Sequence, residues 1–221
     1  MKFYTLEAAK EAFNFDIAQH SALFESVQSH VQVAVFDNKD HIVNAEQSIS
    51  HLYLLLKGKA KVSVAHEDGN NSIVHFVKPN EMIGELTLIG IESRTKDVIS
   101  IGTCLCLAVP MPIGESVLLK DEQFLLKLSQ YIGTKFLDRT WFNVKHKHYE
   151  LKYRLAAYIL QCECEGIFNE KHTETAEYLA VSYRHLLHTV QFFRDEGLLV
   201  KLKKGYAIDR EKLEELSSLL E

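Results

Sequence analysis

TETAEYLAVSYRHLLHTVQFFRDEG, residues 173–197, is the stretch that decides how this chain is interpreted. Thr173 and Ser182 are each expected to cap a helix, because a hydroxyl at the N-cap accepts a hydrogen bond from a free backbone amide. After Ser182, apolar residues recur every three or four positions from Leu186 to Phe193, and a glycine follows where a helix C-cap is expected. Two capped helices separated by a three-residue turn predict a helix-turn-helix.

The polar side of the second helix points to DNA as the partner. Its solvent-facing residues are expected to be Tyr183, Arg184, His188 and Gln191. Side chains there reach base edges in a major groove, whereas hydroxyls at the helix starts meet phosphates. The following LVKLKKGYAI (residues 199–208) predicts a basic hairpin that serves as a wing. The predicted DNA contacts are Thr173, Ser182, Tyr183, Arg184, His185, His188, Lys201, Lys203 and Lys204.

The positive charge of the chain is local. The formal net charge of −5 argues against broad, nonspecific binding to nucleic acids or acidic membranes. Residues 171–208 carry six basic and four acidic side chains, a sum of +2, which leaves −7 for the rest of the chain. A local DNA-binding face is compatible with that distribution.

Composition and motifs favour a cytoplasmic protein that is not an enzyme. The chain has 221 residues with 47% hydrophobic side chains, which is ordinary for a globular protein. Its first residues lack the apolar core of a signal peptide, and its longest apolar stretch, residues 103–113, is shorter than a membrane span. No nucleophile elbow, Walker loop or metallohydrolase motif occurs.

Residues 31–109 predict a β-sandwich or β-roll. Short β-rich runs such as VQVAVF, LYLLLKG and SIVHFV alternate with turn residues, and DGNN at 68–71 predicts a hairpin turn. The period then becomes helical, and residues 122–145 predict one long helix. Its apolar surface exceeds what one β-roll covers, which predicts packing against a second copy. Residues 146–150 are interpreted as a hinge.

The chain resembles the CRP/FNR superfamily over nearly its whole length, and within it the YeiL-type branch. The segments that carry the resemblance are LYLLLKGKAKVSV, IGELTLIGIESRT, the long helix, EKHTETAEYLAVSYRHLL and LVKLKKGY. The resemblance implies an α+β fold with a cyclic-nucleotide-binding-like β-roll (a double-stranded jelly roll) in residues 1–112. A dimerisation helix and linker would occupy residues 113–145, and a winged helix-turn-helix residues 146–221. It also implies a homodimer on a palindromic double-stranded DNA site, with RNA polymerase as a further candidate partner.

The chain departs from the family pattern in the DNA-binding region. Ala180 occupies the tight turn where Gly is usual. Tyr183 and Arg184 follow Ser182, whereas the best-known members have Arg and then Glu. The DNA sequence preferred by those members is therefore not carried over.

The resemblance also implies an effector pocket in the β-roll. Glu85 would hold a ribose hydroxyl, Arg94 and Thr95 a phosphate, and Arg139-Thr140 stands where a Thr-Ser pair reads adenine. The expected effector-binding residues are Gly84, Glu85, Leu86, Arg94, Thr95, Arg139 and Thr140. Lys96 replaces the usual small residue after Arg94-Thr95. We favour a different anionic ligand, attracted by Arg94, Lys96 and Arg139, and keep a cyclic nucleotide as the alternative.

The four cysteines form two Cys-x-Cys pairs, Cys104/Cys106 and Cys162/Cys164. Some relatives bind an iron–sulfur cluster through closely spaced N-terminal cysteines, but no cysteine here precedes Cys104. We expect buried, inert thiols, with cluster binding or redox sensing as the alternative. The histidines show no metal-binding spacing, so no metal site is expected.

The sequence therefore predicts a dimeric, sequence-specific DNA-binding transcription regulator controlled by a small effector in the β-roll. One alternative is a cyclic-nucleotide-binding allosteric module that does not bind DNA. Another is an enzyme built on a β-roll, for which no catalytic residues can be named.

Overall fold

The computed structural model describes residues 1–13, 22–65, 71–92 and 96–220. It shows the predicted mixture of an antiparallel sheet followed by helices. The chain divides into two compact units, Met1–Val64 with His75–Lys135, and Ala65–Val74 with Phe136–Glu221. None of the helices in the described residues combines the length and apolarity that crossing a membrane requires.

The first unit is built on an antiparallel sheet. Its strands are β1 (Lys2–Tyr4), β2 (Gln32–Phe36), β3 (His41–Val43), β4 (His51–Ala65), β5 (Asn71–Val77), β6 (Met82–Ile83) and β7 (Asp97–Pro110). The order is β1-β2-β7-β4-β5, with β3 also paired to β7 and β6 to β4. The predicted hairpin turn at 68–71 falls almost entirely outside the described residues, although β4 and β5 on either side of it are neighbours in the sheet.

Strand β4 is buried on both faces, which explains its continuous apolar run. Leu52 and Leu54 face a core cluster shared with the helices, whereas Tyr53 and Leu55 face the inside of the roll. The strand does not end with the run LYLLLKG but continues to Ala65, and its pairing with β7 shifts in register between Leu55 and Lys59. Gly58 has φ 98°, and a Cβ there would lie 2.5 Å from the Thr103 carbonyl oxygen, so only glycine fits.

The cysteines of β7 lie inside the roll, as predicted. Cys104 and Cys106 belong to the same inner cluster, and the Cys104 thiol donates to the Lys59 carbonyl oxygen at 2.9 Å. Burial, with a smaller effect from Cys104, raises the pKa of Cys106 well above its ordinary value, which keeps it a thiol. Cys162 is also buried, but Cys164 is only half-buried.

Helices cover the outer core cluster and lead out of the roll. They are α1 (Leu6–Phe13), α2 (Glu85–Leu88), α3 (Met111–Ser116) and α4 (Glu122–His148), with 3₁₀ segments at Ala22–His30 and Leu118–Lys120. Asp121 begins α4, because its carboxylate accepts from the backbone amide of Gln123 at 2.9 Å. The predicted hinge at 146–150 is wrong in length, because α4 continues to His148 and only residues 149–150 separate it from the next helix.

The second unit consists mainly of short helices and a small sheet. Its elements are α5 (Leu151–Cys162), β8 (Ile167–Phe168), α6 (His172–Tyr178), α7 (Tyr183–Asp195), β9 (Leu199–Lys201), β10 (Tyr206–Ile208), α8 (Arg210–Ser217) and a 3₁₀ segment at Ser218–Leu220. The strands form an antiparallel sheet in the order β8-β10-β9. Leu155, Leu186, Phe193 and Leu213 are fully buried, so α5, α7 and α8 each contribute to the core.

Candidate DNA-binding and effector sites

The start of α6 differs from the prediction. The N-cap is Lys171, with extended backbone at φ −68° and ψ 134°, and the helix begins at His172. The Lys171 carbonyl oxygen accepts both the amide and the hydroxyl of Thr175, each at 2.9 Å. The prediction of Thr173 as the N-cap is therefore wrong, because the cap lies two residues earlier. Thr173 is exposed in the first turn of α6.

Both predicted ends of α7 are confirmed. The Ser182 hydroxyl accepts from the His185 amide at 3.2 Å, so Ser182 is the N-cap. At the other end Gly197 has φ 72°, and the Leu198 amide donates to the Phe193 carbonyl oxygen at 2.8 Å. This is the bonding of a Schellman cap, in which glycine avoids the steric penalty of the left-handed conformation.

The turn between α6 and α7 has an alanine at a position whose left-handed backbone conformation favours glycine. Ala180 has φ 51°, and the Val181 amide donates to the Ala176 carbonyl oxygen at 3.0 Å. One further carbonyl at this turn, that of Leu179, accepts from the Arg154 guanidinium at 2.8 Å. Sequence reasoning missed Arg154, although an arginine on an otherwise apolar stretch of helix was a visible signal.

The exposed side of α7 is the surface that the sequence predicted. Leu186, Val190 and Phe193 are buried. Tyr183, Arg184, His185 and His188 are exposed. Gln191 is exposed too, but its side-chain amide already donates to Asp195 at 2.7 Å and accepts from Arg194 at 2.8 Å. The residues ahead of Gln191 therefore present the more available donors.

The predicted wing is present as β9, β10 and the turn between them. The Leu202 amide closes the turn on the Gly205 carbonyl oxygen at 3.1 Å, and Gly205 has φ 77°. A Cβ on Gly205 would lie 2.4 Å from the Phe168 carbonyl oxygen, so no other residue fits. Lys203 and Lys204 are exposed in this turn.

Lys201 differs from its two neighbours on the wing. Its Nζ lies 4.3 Å from the centroid of the Tyr206 ring, a cation–π contact. The His172 ring stacks on the same Tyr206 at 5.8 Å with an interplanar angle of 21°. Burial, together with the charge of Lys201, lowers the pKa of His172. These contacts tie the wing to the beginning of α6.

The expected effector residues near α2 are occupied by contacts within the first unit. Gly84 enters α2 with φ 93°, and a Cβ there would lie 2.6 Å from the Ile49 side chain. Glu85 is buried, and its carboxylate accepts from Lys135 Nζ of α4 at 2.8 Å. Leu86 is half-buried, and its carbonyl oxygen accepts from the amides of the next loop.

Lys135 is a site residue that sequence reasoning missed. Its Nζ also donates to the Tyr131 hydroxyl at 3.0 Å, and that hydroxyl accepts from the Met82 amide at 2.9 Å. Burial alone would lower the pKa of Lys135, but the charge of Glu85 and the contact with Tyr131 outweigh it and raise the pKa. The signal in the sequence was a lysine four residues after a tyrosine on the inner side of α4.

The remaining predicted effector residues, Arg94, Thr95, Arg139 and Thr140, stay predictions. Arg94 and Thr95 lie outside the described residues. Arg139 and Thr140 are exposed on the part of α4 that belongs to the second unit, and the Thr140 hydroxyl donates to the Phe136 carbonyl oxygen at 2.9 Å. Lys96 forms an ion pair with Glu92. Within the described part of the chain, no three His, Cys, Asp or Glu side chains are grouped to hold a metal ion.

Comparisons with known proteins agree with this architecture. Residues 33–121 match the family model of the cyclic nucleotide-binding domain. The regulatory protein YeiL of Escherichia coli O157:H7 is 36% identical over 205 residues, which cover 93% of this chain and 89% of that protein.

Solved structures show the same fold. TTHB099, a CRP-family transcriptional regulator from Thermus thermophilus, has a TM-score of 0.61 at 18% identity, with 84% of this chain and 96% of that one covered. The c-di-GMP responsive global regulator CLP from Xanthomonas campestris has a TM-score of 0.58 at 16% identity, with 85% and 98% covered. Together with the similarity to YeiL, these relationships show that the chain belongs to the CRP/FNR superfamily of transcription regulators, in the branch of YeiL.

Proposed function

We propose that this regulator is a cytoplasmic homodimer that binds a palindromic double-stranded DNA site and responds to a small effector in the β-roll. The observation that carries the proposal is α7, which is capped at both ends and exposes donors along its first half. It acts by binding and not by catalysis. RNA polymerase is the partner through which bound regulator would affect transcription.

The proposed DNA surface combines α7 with the wing. Tyr183, Arg184, His185 and His188 would face base edges, because the N-terminal half of a recognition helix enters the major groove. Ser182 and Thr173 would lie near phosphates. On the wing, Lys203 and Lys204 are better placed for phosphates than Lys201, whose ammonium group already contacts Tyr206.

The dimer interface is proposed to lie along α4. Leu126 and Leu137 are 55% and 57% exposed, and Gly133 lies on the same face of the helix between them. Single exposed apolar residues are common, but a stripe on one helix face indicates a helical partner. A Cβ on Gly133 would meet nothing within 4 Å, so its bare backbone leaves room for a second helix to approach closely. The occupant is a second copy, since a palindromic site requires two recognition helices.

Three functional regions follow from these assignments. Residues 1–112 are proposed as the effector domain, 113–145 as linker and dimerisation helix, and 146–221 as the DNA-binding domain. The effector would bind near Gly84, Glu85 and Leu86, with Arg94, Thr95, Arg139 and Thr140 as further proposed contacts. CLP, which shares this fold, is described as responsive to c-di-GMP.

A gel-shift experiment on the DNA upstream of the regulator's own gene tests the proposal. We expect a discrete complex that resists unrelated competitor DNA and that Arg184→Glu abolishes. The control is Lys10→Glu, which makes the same charge change at an exposed position of α1. If wild-type protein forms no competitor-resistant complex there or on selected DNA, the chain is an allosteric module and not a DNA-binding regulator.

A further inference from the structure

The first half of α7 exposes two apolar side chains beside its hydrogen-bond donors. Tyr183 is 50% exposed and Leu187 is 38% exposed. Their spacing of four residues places them in one row along the helix, because positions i and i+4 lie one above the other. Leu186 and Val190, on either side of Leu187 in sequence, are buried and pack α7 on its own unit. Leu187 therefore keeps a large part of its apolar surface outside the core.

The apolar row borders the row of donors that is proposed to meet DNA. Arg184 and His188 are both exposed, are also four residues apart, and each directly follows a member of the apolar row. The major groove is about as wide as a helix, so side chains of both rows come within reach of base edges when α7 lies in it. Single exposed leucines are common on protein surfaces, but Leu187 lies among residues of the proposed DNA surface. DNA is therefore the occupant that this position favours.

The major groove offers one group that suits an aliphatic side chain. Base edges there present hydrogen-bond donors and acceptors, and the C5 methyl group of thymine is the apolar exception. A leucine pressed against a donor or acceptor removes water from it without replacing the hydrogen bond, which costs free energy. Against a thymine methyl group, the leucine removes apolar surface of both partners from water, which is favourable. A leucine on this surface therefore discriminates in favour of thymine.

We propose that Leu187 is a specificity-determining residue of α7, which selects a thymine in each half-site by contact with its C5 methyl group. This inference rests on the proposed function, because it requires α7 to enter the major groove of DNA. It deepens that function by adding an apolar contact to the hydrogen bonds of Arg184. The thymine lies about one or two base pairs from the base that Arg184 reads, since three helical residues span about 4.5 Å and neighbouring base pairs are about 3.4 Å apart.

Deoxyuridine isolates this contact, because it lacks the C5 methyl group of thymine and keeps its Watson–Crick hydrogen bonds. The probe is the shortest duplex that still gives a competitor-resistant complex with the full chain, taken from the DNA upstream of its own gene or selected from a random library. Each pair of symmetry-related thymines is replaced by deoxyuridine in turn, and competition gel shifts give the relative dissociation constants. At one position we expect wild-type binding to weaken by about fourfold per half-site, as for the loss of one buried methyl-sized group.

Leu187→Ala tests whether Leu187 makes the contact. We expect it to bind the thymine probe at least about fourfold more weakly than wild type, and to lose nothing further when deoxyuridine replaces that thymine. An effect of the methyl group on the deformability of the DNA would persist in this variant. Leu187→Met keeps an apolar side chain of similar volume and should keep the sensitivity to the methyl group. The matched control is Leu219→Ala, which shortens a leucine that is 57% exposed near the end of the second unit, and it should bind every probe as wild type does.

The outcomes separate this inference from the proposed function. If wild-type protein forms no competitor-resistant complex with either kind of probe, the proposed function fails and this inference fails with it. If wild-type protein binds DNA but tolerates deoxyuridine at every thymine, the inference alone is overturned. It is overturned as well if Leu187→Ala retains every deoxyuridine sensitivity of the wild type. Sensitivity at one thymine that disappears in Leu187→Ala and remains in Leu187→Met and Leu219→Ala supports it.

Discussion

The Arg154 guanidinium donates a hydrogen bond to the carbonyl oxygen of Leu179 across 2.8 Å. Leu179 is the C-cap of α6, so its carbonyl belongs to the group that a helix end leaves without intrahelical partners. Arg154 lies on α5, outside the helix-turn-helix itself. A cation at a helix C-terminus is also favourable to the helix dipole. A side chain of a third helix, α5, therefore holds the end of α6 at the turn of the helix-turn-helix.

Removing this contact should destabilise the DNA-binding unit. We expect Arg154→Met to lower the free energy of unfolding by about 1–3 kcal/mol, because it leaves the Leu179 carbonyl unsatisfied. Urea denaturation of the full chain measures the change. Lys152→Met, on the same helix but paired with Glu150 at the surface, is the control and should change stability by less than about 1 kcal/mol. An equal loss of unfolding free energy in the two variants would show that the contact with Leu179 contributes no more to stability than the surface ion pair does.

The alanine in the α6–α7 turn predicts a change in the opposite direction. Ala180 has φ 51°, a conformation that penalises a Cβ and suits glycine. We expect Ala180→Gly to stabilise the protein by about 0.5–1 kcal/mol, net of the greater entropy that glycine has in the unfolded chain. Ala157→Gly, inside α5, is the control and should destabilise by about the same amount. A loss of stability in both variants would mean that the turn is not strained.

The comparison of sequence and structure separates local features from tertiary ones. Ser182 and the apolar spacing of α7 were predictable, because capping and helix periodicity depend on residues within one or two turns. Thr173 was misplaced, because helix starts are the least certain part of such a prediction and Lys171 has no capping side chain. The ion pair between Glu85 and Lys135 could not be predicted from the sequence, because no local pattern links residues 50 positions apart.

His172 predicts a pH dependence of stability. Its pKa in the folded protein is lowered, mainly by burial and also by Lys201, from an ordinary value of 6.5. The unfolded state therefore binds more protons at acid pH, so this contribution is present above pH 6.5 and is lost as the pH falls below that value. We expect His172→Phe, which keeps a ring against Tyr206, to lose less stability than wild type between about pH 7 and pH 5.

Thermal melting at a series of pH values measures this difference. The pKa of His51 is also lowered by burial, but His51 is present in both proteins and cancels in the comparison. Parallel curves for wild type and His172→Phe would show that the His172 ring does not contribute to the acid sensitivity.

The exposed stripe on α4 predicts that one charge will dissociate the dimer. Leu137→Glu places a carboxylate on the face shared with Gly133, and in a dimer related by a two-fold axis both copies carry it. We expect the dimer dissociation constant to rise by at least about tenfold, as measured by sedimentation equilibrium. Thr134→Glu adds the same charge on the flank of the helix and should have a smaller effect. A wild-type protein that is monomeric at micromolar concentration contradicts the proposed interface.

The recognition helix α7 and the wing are expected to contribute differently to DNA binding. Arg184 lies in the first turn of α7, is exposed, and has the fork of donors with which arginine reads guanine in the major groove. Lys203 lies in the exposed wing turn, where a phosphate is the expected partner. The two residues differ in what they should contribute: Arg184 to discrimination between sequences, and Lys203 to affinity for all of them.

Binding to a set of single-base operator variants at several salt concentrations tests both roles together. Arg184→Ala should cost about 1–3 kcal/mol on the preferred site and weaken discrimination at one base pair in each half-site. Lys203→Ala should weaken binding to every variant alike and reduce the salt dependence by about one ion per subunit. Each mutant serves as the control for the other, since both remove one exposed cation from the same unit. If Arg184→Ala ranks the operator variants as wild type does, the base-reading residue is another side chain of α7.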